Sequence, residues 1–324
     1  MIFIKVILGI IGLICLLKGA DLLVDAAVDI SLHFKIPKII IGLTLVAFGT
    51  SLPEFFVSLF SVLSNGDDIA VGNIVGSNIV NIALIIGLGA IIYPIVVKPG
   101  TLIYESPFLL AATFVFIIAS NDKNILNLDT YTINYIDSIF FLGILVLFLS
   151  YIFKIIHIDE NKKKEYELET GDTPRHSIGM AFLYFSIGAI LLVIGGKLFV
   201  NALILIGTVL NMSQKNVGIL IASISTSLPE LFTTVVAALK KKSDIALGNV
   251  IGSNIFNITV VMGVIGLVKT ISVNPQIVFF DQVIMLLFTF IFIFFATTGK
   301  KIQRIEGIIL VSLYIVYLIM LFNK

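Results

Sequence analysis

The chain has 324 residues, of which 58% are hydrophobic and 13% charged, and its formal net charge is +1. A soluble domain is about a quarter charged; this composition, with a mean hydropathy of +1.12, excludes a water-exposed globule and points to an all-α polytopic membrane protein. There is no basic field to attract nucleic acid, the single cysteine (Cys15) excludes an internal disulfide framework, and three histidines (His33, His157, His176) without ligand spacing argue against a zinc enzyme.

Crossing a bilayer takes roughly 20 apolar residues per helix. Windows of that size predict ten spans, near 2–20, 37–63, 69–93, 104–120, 134–154, 178–202, 214–239, 245–268, 278–297 and 303–322. The first could pass for a signal peptide, with Lys5, an apolar run to Leu17 and small Gly19-Ala20. Because an internal repeat begins at Gly19, a first transmembrane helix is the better reading. The stretches Asp21 to His33 and Lys197 to Asn211 are amphipathic and either continue spans one and six or lie along the membrane surface. His157 to Ser177 is the one long polar segment and reads as a solvated linker. It separates a first five-helix unit (1–156) from a second (178–324), with the linker at 157–177.

Lys and Arg on cytoplasmic loops set orientation. With the N-terminus outside, 15 of them fall on inside loops and 6 outside. Both termini are therefore expected outside and the linker in the cytoplasm, in a multi-pass protein of the cell membrane.

Shifting the chain by 176 residues lays Gly42–Asn81 on Gly218–Asn257 without a gap, with 18 of 40 positions identical. Gly-Thr-Ser-Leu-Pro-Glu at 49–54 meets Ser-Thr-Ser-Leu-Pro-Glu at 225–230, and the Asn-x-x-x-Ser-x-x-x-Asn stripe at 73, 77 and 81 meets the one at 249, 253 and 257. The shift also pairs Gly19 with Gly195 and Glu105 with Asp281. Five spans per half is an odd number, so the halves would cross the membrane in opposite senses. Inverted repeats are a transporter architecture, with the binding site near midplane where they meet.

Glu54 and Glu230 are the only carboxylates expected deep inside the spans, and a charge there is by default a functional-site hypothesis. Each follows a proline that cannot donate to the helix ladder, so helices 2 and 7 should break. The following spans, 3 and 8, are likewise expected to be broken around a midplane site. Helix breaks free backbone carbonyls, tolerated only where protein or a hydrated cavity satisfies them. A local alternative is a capping box, with Ser51 and Ser227 serving their own half-helices through Glu54 and Glu230. Residues four apart share a helix face, which groups Thr50, Glu54 and Ser58 with Thr226, Glu230 and Thr234. Together with the Asn/Ser stripes these supply carboxylates, amide oxygens and hydroxyls, the donors that hard cations such as Ca²⁺ prefer. For Asn73, Asn78, Asn249 and Asn254, interhelical hydrogen bonding is an equal alternative. Gly72, Gly76, Gly248 and Gly252 read as packing residues, and Asp68 and Asp244 as helix-start charges.

At these two motif pairs the sequence resembles the alpha repeats of the calcium/cation antiporter superfamily, in particular its prokaryotic sodium/calcium exchanger branch. The resemblance covers nearly the whole chain. It implies alternating access, with Na⁺ entry driving Ca²⁺ out. By position it implies that Glu54 and Glu230 hold Ca²⁺, that Thr50 and Thr226 add backbone carbonyls, and that Asn81 and Asn257 complete the centre. It further implies that Ser51, Ser77, Ser227 and Ser253, with carbonyls near Ala47 and Ser223, line Na⁺ positions, and that spans one and six slide across the core. Some relatives carry Asp where this chain has Asn257, which disfavours K⁺ co-transport here. Two glutamates carry −2, neutralised by one Ca²⁺. Three Na⁺, as the resemblance implies, would leave +1 and make the cycle electrogenic, worth roughly 2.3 kcal/mol per 100 mV for that charge. Ca²⁺ and Na⁺ are then transported ions rather than resident cofactors, and a single chain in the lipid bilayer is the expected transport unit.

The alternative is an H⁺/Ca²⁺ (or other divalent cation) exchanger, since desolvated glutamates can carry protons; the hydroxyls beside them favour Na⁺. A passive cation channel needs a continuous pore, which the repeat does not suggest. An intramembrane hydrolase lacks any feature that would make one glutamate an acid and the other a base.

Overall fold

The computed structural model describes residues 2–125, 130–158, 173–209 and 224–322. Eleven helical segments carry the described fold: α1 (Ile2–Phe34), α2 (Lys38–Thr50), α3 (Leu52–Leu63), α4 (Asp67–Ile92), α5 (Thr101–Ala119), α6 (Tyr135–Ile158), α7 (Ile178–Val209), α8 (Leu228–Leu239), α9 (Ser243–Val268), α10 (Ile277–Gly299) and α11 (Arg304–Phe322). Four two-residue strands pair antiparallel at helix ends: β1 (Ile95–Val96) with β4 (Lys301–Ile302), and β2 (Thr132–Ile133) with β3 (Ile271–Ser272). Among the described residues, eight helices are long and apolar enough to cross a membrane, and nine if α2 and α3, bent by 44°, count as one span. Nine of the ten predicted spans thus have a counterpart. The seventh is seen only as α8, because 210–223 lie outside the described residues, as does most of the linker.

α1 has 33 residues and α7 has 32, about 50 Å each at 1.5 Å per residue. Both exceed the roughly 30 Å hydrocarbon core, so the amphipathic stretches after spans one and six continue those helices. The pair packs closely because glycines face each other. A Cβ at Gly12 would lie 2.8 Å from the Gly195 carbonyl, and one at Gly19 would lie 2.8 Å from that of Gly188. The two crossings are related by the 176-residue shift.

The remaining helices surround α4 and α9, the most enclosed of the set. Their core joins Ile74, Ile79, Ile82 and Ile85 to Ile251, Ile258 and Met262, with Phe116, Phe141, Phe288 and Tyr314 closing from outer helices. Large apolar side chains such as Phe60, Ile69, Phe140, Leu147 and Phe294 are exposed on the periphery, the surface that lipid covers in a multi-pass membrane protein.

α4 and α9 were expected to break, but each runs unbroken. Neither contains a proline. Instead each widens into a π-helical turn, at Asn81–Ile86 and Asn257–Met262. An extra residue per turn loosens the backbone ladder locally, and such bulges gather at functional sites. α5 and α10 open with matching π-turns, Thr101–Glu105 and Ile277–Asp281. These turns bury two further carboxylates: Glu105 accepts a hydrogen bond from Tyr151 (2.9 Å) and Asp281 from Tyr317 (2.9 Å). Glu54 and Glu230 are therefore not the only acids inside the spans, although Glu105 and Asp281 lie at helix starts.

At one end of α1, Asp21, Asp25 and Asp29 follow the four-residue period. Lys240, just past α8, sits 2.7 Å from both Asp21 and Asp25, and Arg175 reaches Asp25 at 3.8 Å. His176 Nδ1 is 2.8 Å from Asp29. The partly exposed pairs of Asp21 and Asp25 contribute about 0–1 kcal/mol each and set register more than stability, whereas Asp29 is buried. The shift carries the three aspartates to Lys197, Asn201 and Leu205, so the acidic row is not repeated on α7.

α6 starts in a reciprocal cap. Asn134 Oδ1 accepts from the Ile136 amide (2.8 Å), and Asp137 Oδ2 accepts from the Asn134 amide (2.8 Å). Asn134→Ala removes the cap and should cost about 1 kcal/mol, read as a lowered melting temperature in detergent with transport unchanged. An unchanged melt would mean the cap contributes nothing.

Candidate cation site

Ser51 ends α2 with φ −86° and ψ 5°, and Ser227 stands before α8 with φ −86° and ψ 7°. Pro53 and Pro229 follow in the first turn, where a missing N–H is harmless to the new helix but denies the previous turn its donor. Glu54 and Glu230 then fall in the first turn of α3 and α8, where the helix dipole favours a negative charge. Both are completely buried.

The capping-box alternative does not hold for the side chains: neither Ser51 nor Ser227 makes a side-chain cap. Each hydroxyl reaches across to the other half instead. Ser51 Oγ donates to Glu230 Oε1 at 2.9 Å, and Ser227 Oγ donates to Glu54 Oε1 at 3.3 Å. Ser253 and Ser77 donate to the same two oxygens at 3.3 and 3.4 Å. Because Ser51 and Glu54 share a turn, as do Ser227 and Glu230, these bonds bring the two carboxylates to one place.

Around them the polar stripes interlock. Thr50 Oγ1 donates to Asn249 Oδ1 (3.0 Å) and Thr226 Oγ1 to Asn73 Oδ1 (2.9 Å). Asn249 and Asn73 in turn donate to Thr234 and Ser58, both at 3.0 Å. Asn73 and Asn249 thus brace α3 and α8 and satisfy the hydrogen-bonding alternative. Asn81 Nδ2 donates to Asn254 Oδ1 at 2.8 Å, and Asn257 Nδ2 donates to Asn78 Oδ1 at 3.0 Å. Nearly every one of these bonds recurs under the 176-residue shift.

Eight buried side-chain polar atoms among the described residues lack a hydrogen-bond partner, and four belong here: Glu54 Oε2, Glu230 Oε2, Asn81 Oδ1 and Asn257 Oδ1. All four are oxygens, and with the carboxylates ionised they can only accept from protein or ligate a cation. Unpaired buried carboxylates cost several kcal/mol each, and natural interiors seldom leave such atoms without a partner. A cation is the partner this chemistry fits. Among the described residues no group of three or more His, Cys, Asp or Glu side chains forms a metal cluster, so the donors beyond the two carboxylates are neutral oxygens.

Thr50, Ser51, Ser77, Asn81, Thr226, Ser227, Ser253 and Asn257 therefore join Glu54 and Glu230 in one buried cluster. The Ala47 carbonyl accepts from the Ser51 amide (3.0 Å) and from Thr50 Oγ1 (3.3 Å), so its remaining capacity is limited. Ser223 lies outside the described residues. The cross-half direction of the serine bonds was not legible in the motif, because Ser-x-x-Glu also describes a local cap. The acids of α5 and α10 could have been found from the Glu105–Asp281 match under the shift.

The family model described as sodium/calcium exchanger protein matches residues 4–154 and 180–323. This chain belongs to that family. It is 34% identical to the inner membrane protein YrbG of Escherichia coli over 317 residues, covering 97% of this chain and 95% of the relative. It is 33% identical to the sodium/calcium exchanger MaX1 of Methanosarcina acetivorans, covering 99% of both. The solved structure of the sodium-calcium exchanger NCX_Mj soaked with 10 mM Na⁺ and zero Ca²⁺ matches with a TM-score of 0.80 at 30% identity, over 98% of each chain. Sodium/calcium exchangers are membrane transporters, not enzymes, and the fold and polar cluster described above belong to a multi-pass member of the family.

Proposed function

We propose that this protein is a secondary antiporter that exchanges Na⁺ for Ca²⁺ by alternating access. The observation that carries this reading is the reciprocal bonding of Ser51 to Glu230 and Ser227 to Glu54, which joins two buried carboxylates from the two halves and leaves one oxygen of each unpartnered. Glu54 and Glu230 would hold Ca²⁺, with the carbonyls of Thr50 and Thr226. Asn81 and Asn257 would complete that centre, and Ser51, Ser77, Ser227 and Ser253, with carbonyls near Ala47 and Ser223, would line the Na⁺ positions. The similarity to MaX1 and to NCX_Mj, whose crystals were soaked with Na⁺, Ca²⁺ and Sr²⁺, supports these cargoes.

The architecture proposed with it is ten transmembrane helices in two inverted five-helix repeats, 1–156 and 178–324, joined by a cytoplasmic linker at 157–177, with both termini outside. Hydrogen bonds and glycine crossings that recur under the 176-residue shift support the repeat. The cycle would extrude Ca²⁺ using Na⁺ entry and carry net charge, with one chain as the transport unit and no resident cofactor.

The test is ⁴⁵Ca²⁺ uptake into Na⁺-loaded proteoliposomes against choline-loaded controls. Uptake should require internal Na⁺, and its rate should respond to an imposed membrane potential. Uptake that follows an imposed pH gradient and ignores Na⁺ would replace this reading with H⁺/Ca²⁺ exchange, and flux without any counter-ion would indicate a channel.

A further inference from the structure

An asparagine amide turned by half a rotation exchanges its acceptor for a donor. Asn81 and Asn257 can serve a cation only with Oδ1 directed to it; the opposite rotamer would present N–H groups. The structure contains a device that decides between the two. Asn78 Nδ2 donates to the backbone carbonyl of Asn254 at 3.4 Å, and Asn254 Nδ2 donates to the backbone carbonyl of Asn78 at 3.2 Å. A backbone carbonyl accepts and cannot donate, so each of these contacts requires the NH₂ end of its amide. The Oδ1 atoms of Asn78 and Asn254 must then accept elsewhere. They accept from Asn257 Nδ2 at 3.0 Å and from Asn81 Nδ2 at 2.8 Å. This uses the NH₂ ends of Asn257 and Asn81 and leaves both Oδ1 atoms buried and unpartnered.

We propose that Asn78 and Asn254 are positioning residues for cation binding, each holding the amide of the opposite half, Asn257 or Asn81, with its oxygen available to the transported ion. The proposal rests on the exchange reading above and deepens it. Simple interhelical bonding would require the four amides to meet, but it would not require both leftover atoms to be oxygens. The chain of acceptors beginning at two backbone carbonyls fixes that outcome. Asn78 and Asn254 are themselves at most 1% exposed, so no competing water-facing rotamer is offered to them.

The experiment is a double-mutant cycle. An aspartate side chain at position 257 presents an oxygen in either rotamer and needs no orienting. Asn78→Ala is measured in the native background and in an Asn257→Asp background, by KM for Ca²⁺ in Na⁺-driven ⁴⁵Ca²⁺ uptake and by the Ca²⁺-induced rise in melting temperature in detergent. The expected result is a KM raised at least about tenfold in the native background, the effect of a mispaired buried polar contact, and less than about threefold in the Asn257→Asp background. The thermal shift should fall in the same order. An equal factor in both backgrounds assigns Asn78 to packing alone and overturns the proposal, as does an unchanged KM. The mirror cycle, Asn254→Ala with Asn81→Asp, reads the same quantity and stands in where a single variant does not fold. If the unmutated protein shows no Na⁺-dependent uptake, the exchange reading fails, while the Ca²⁺ thermal shift still reads the orienting pair.

Discussion

Glu54→Gln and Glu230→Gln are each expected to lower Na⁺-driven Ca²⁺ uptake by at least about 100-fold while leaving the protein folded. Each carboxylate is completely buried, accepts from a serine of its own half and one of the other half, and keeps one oxygen unpartnered. A unit charge 4 Å from another in an effective dielectric of 20 is worth about 4 kcal/mol, and a divalent ion doubles the attraction. Desolvation of the ion offsets part of this. Even a net loss of about 3 kcal/mol is roughly 100-fold, at 1.4 kcal/mol per tenfold. Glutamine keeps the shape and accepts the same serine hydroxyls, so the melting temperature of the ion-free protein should not fall. Uptake within tenfold of the unmutated protein in either variant would remove that glutamate from the site. Loss in only one of the two would sink the claim that both halves supply a carboxylate to the ion.

Gly252→Val is expected to give the largest structural effect of any conservative change near the site. A Cβ at Gly252 would lie 2.5 Å from the Leu43 carbonyl oxygen and 2.7 Å from both Leu43 Cα and Ala47 Cβ. Most of these atoms are backbone of α2 and cannot rotate away. Overpacking of this kind costs about 1–3 kcal/mol for a methylene or two, and valine adds a branched side chain to the clash. Separating α9 from α2 would also draw Asn249 from Thr50. A fall in melting temperature of roughly 5 °C or more, with reduced uptake, is the expected outcome, Gly252→Ala lying between. Gly143→Ala is the control: Gly143 is exposed on α6 with nothing within 4 Å of an added Cβ, and alanine should be neutral or slightly stabilising through helix propensity. Equal melting temperatures for Gly252→Val and Gly143→Ala would overturn the packing argument.

How much of this was legible beforehand depends on which interactions repeat along the chain. The 176-residue shift exposed the stripes of Asn73, Ser77 and Asn81 and of Asn249, Ser253 and Asn257, because a shared helix face follows from a period of four. It also matched Gly248 and Gly252 to Gly72 and Gly76. Gly248 and Gly252 meet α2; the positions that would face Gly72 and Gly76 by the same shift, 215–223, lie outside the described residues. The partners of each stripe were not legible. Whether Ser51 bonds Glu54 or Glu230 depends on how two segments 176 residues apart face each other, and no local pattern encodes that. The breaks expected in α4 and α9 had no proline behind them, and without proline a helix can absorb a polar stripe by widening a turn. The joint of Asp21, Asp25 and Asp29 with Lys240, Arg175 and His176 left a four-residue period on α1 but no sign of its partners.

The buried carboxylates also bear on leak. An exchanger wastes its gradient if the binding site can return across the membrane with nothing in it. Here the ion-free site would have to make that passage with two acidic groups whose outer oxygens no protein donor covers, in surroundings where each uncompensated charge costs several kcal/mol. Serine hydroxyls cover one oxygen of each and no more. Taking up a cation would therefore be the cheaper course at every turn of the proposed cycle, and the same unpartnered oxygens that would give the site its affinity would hold back its empty return.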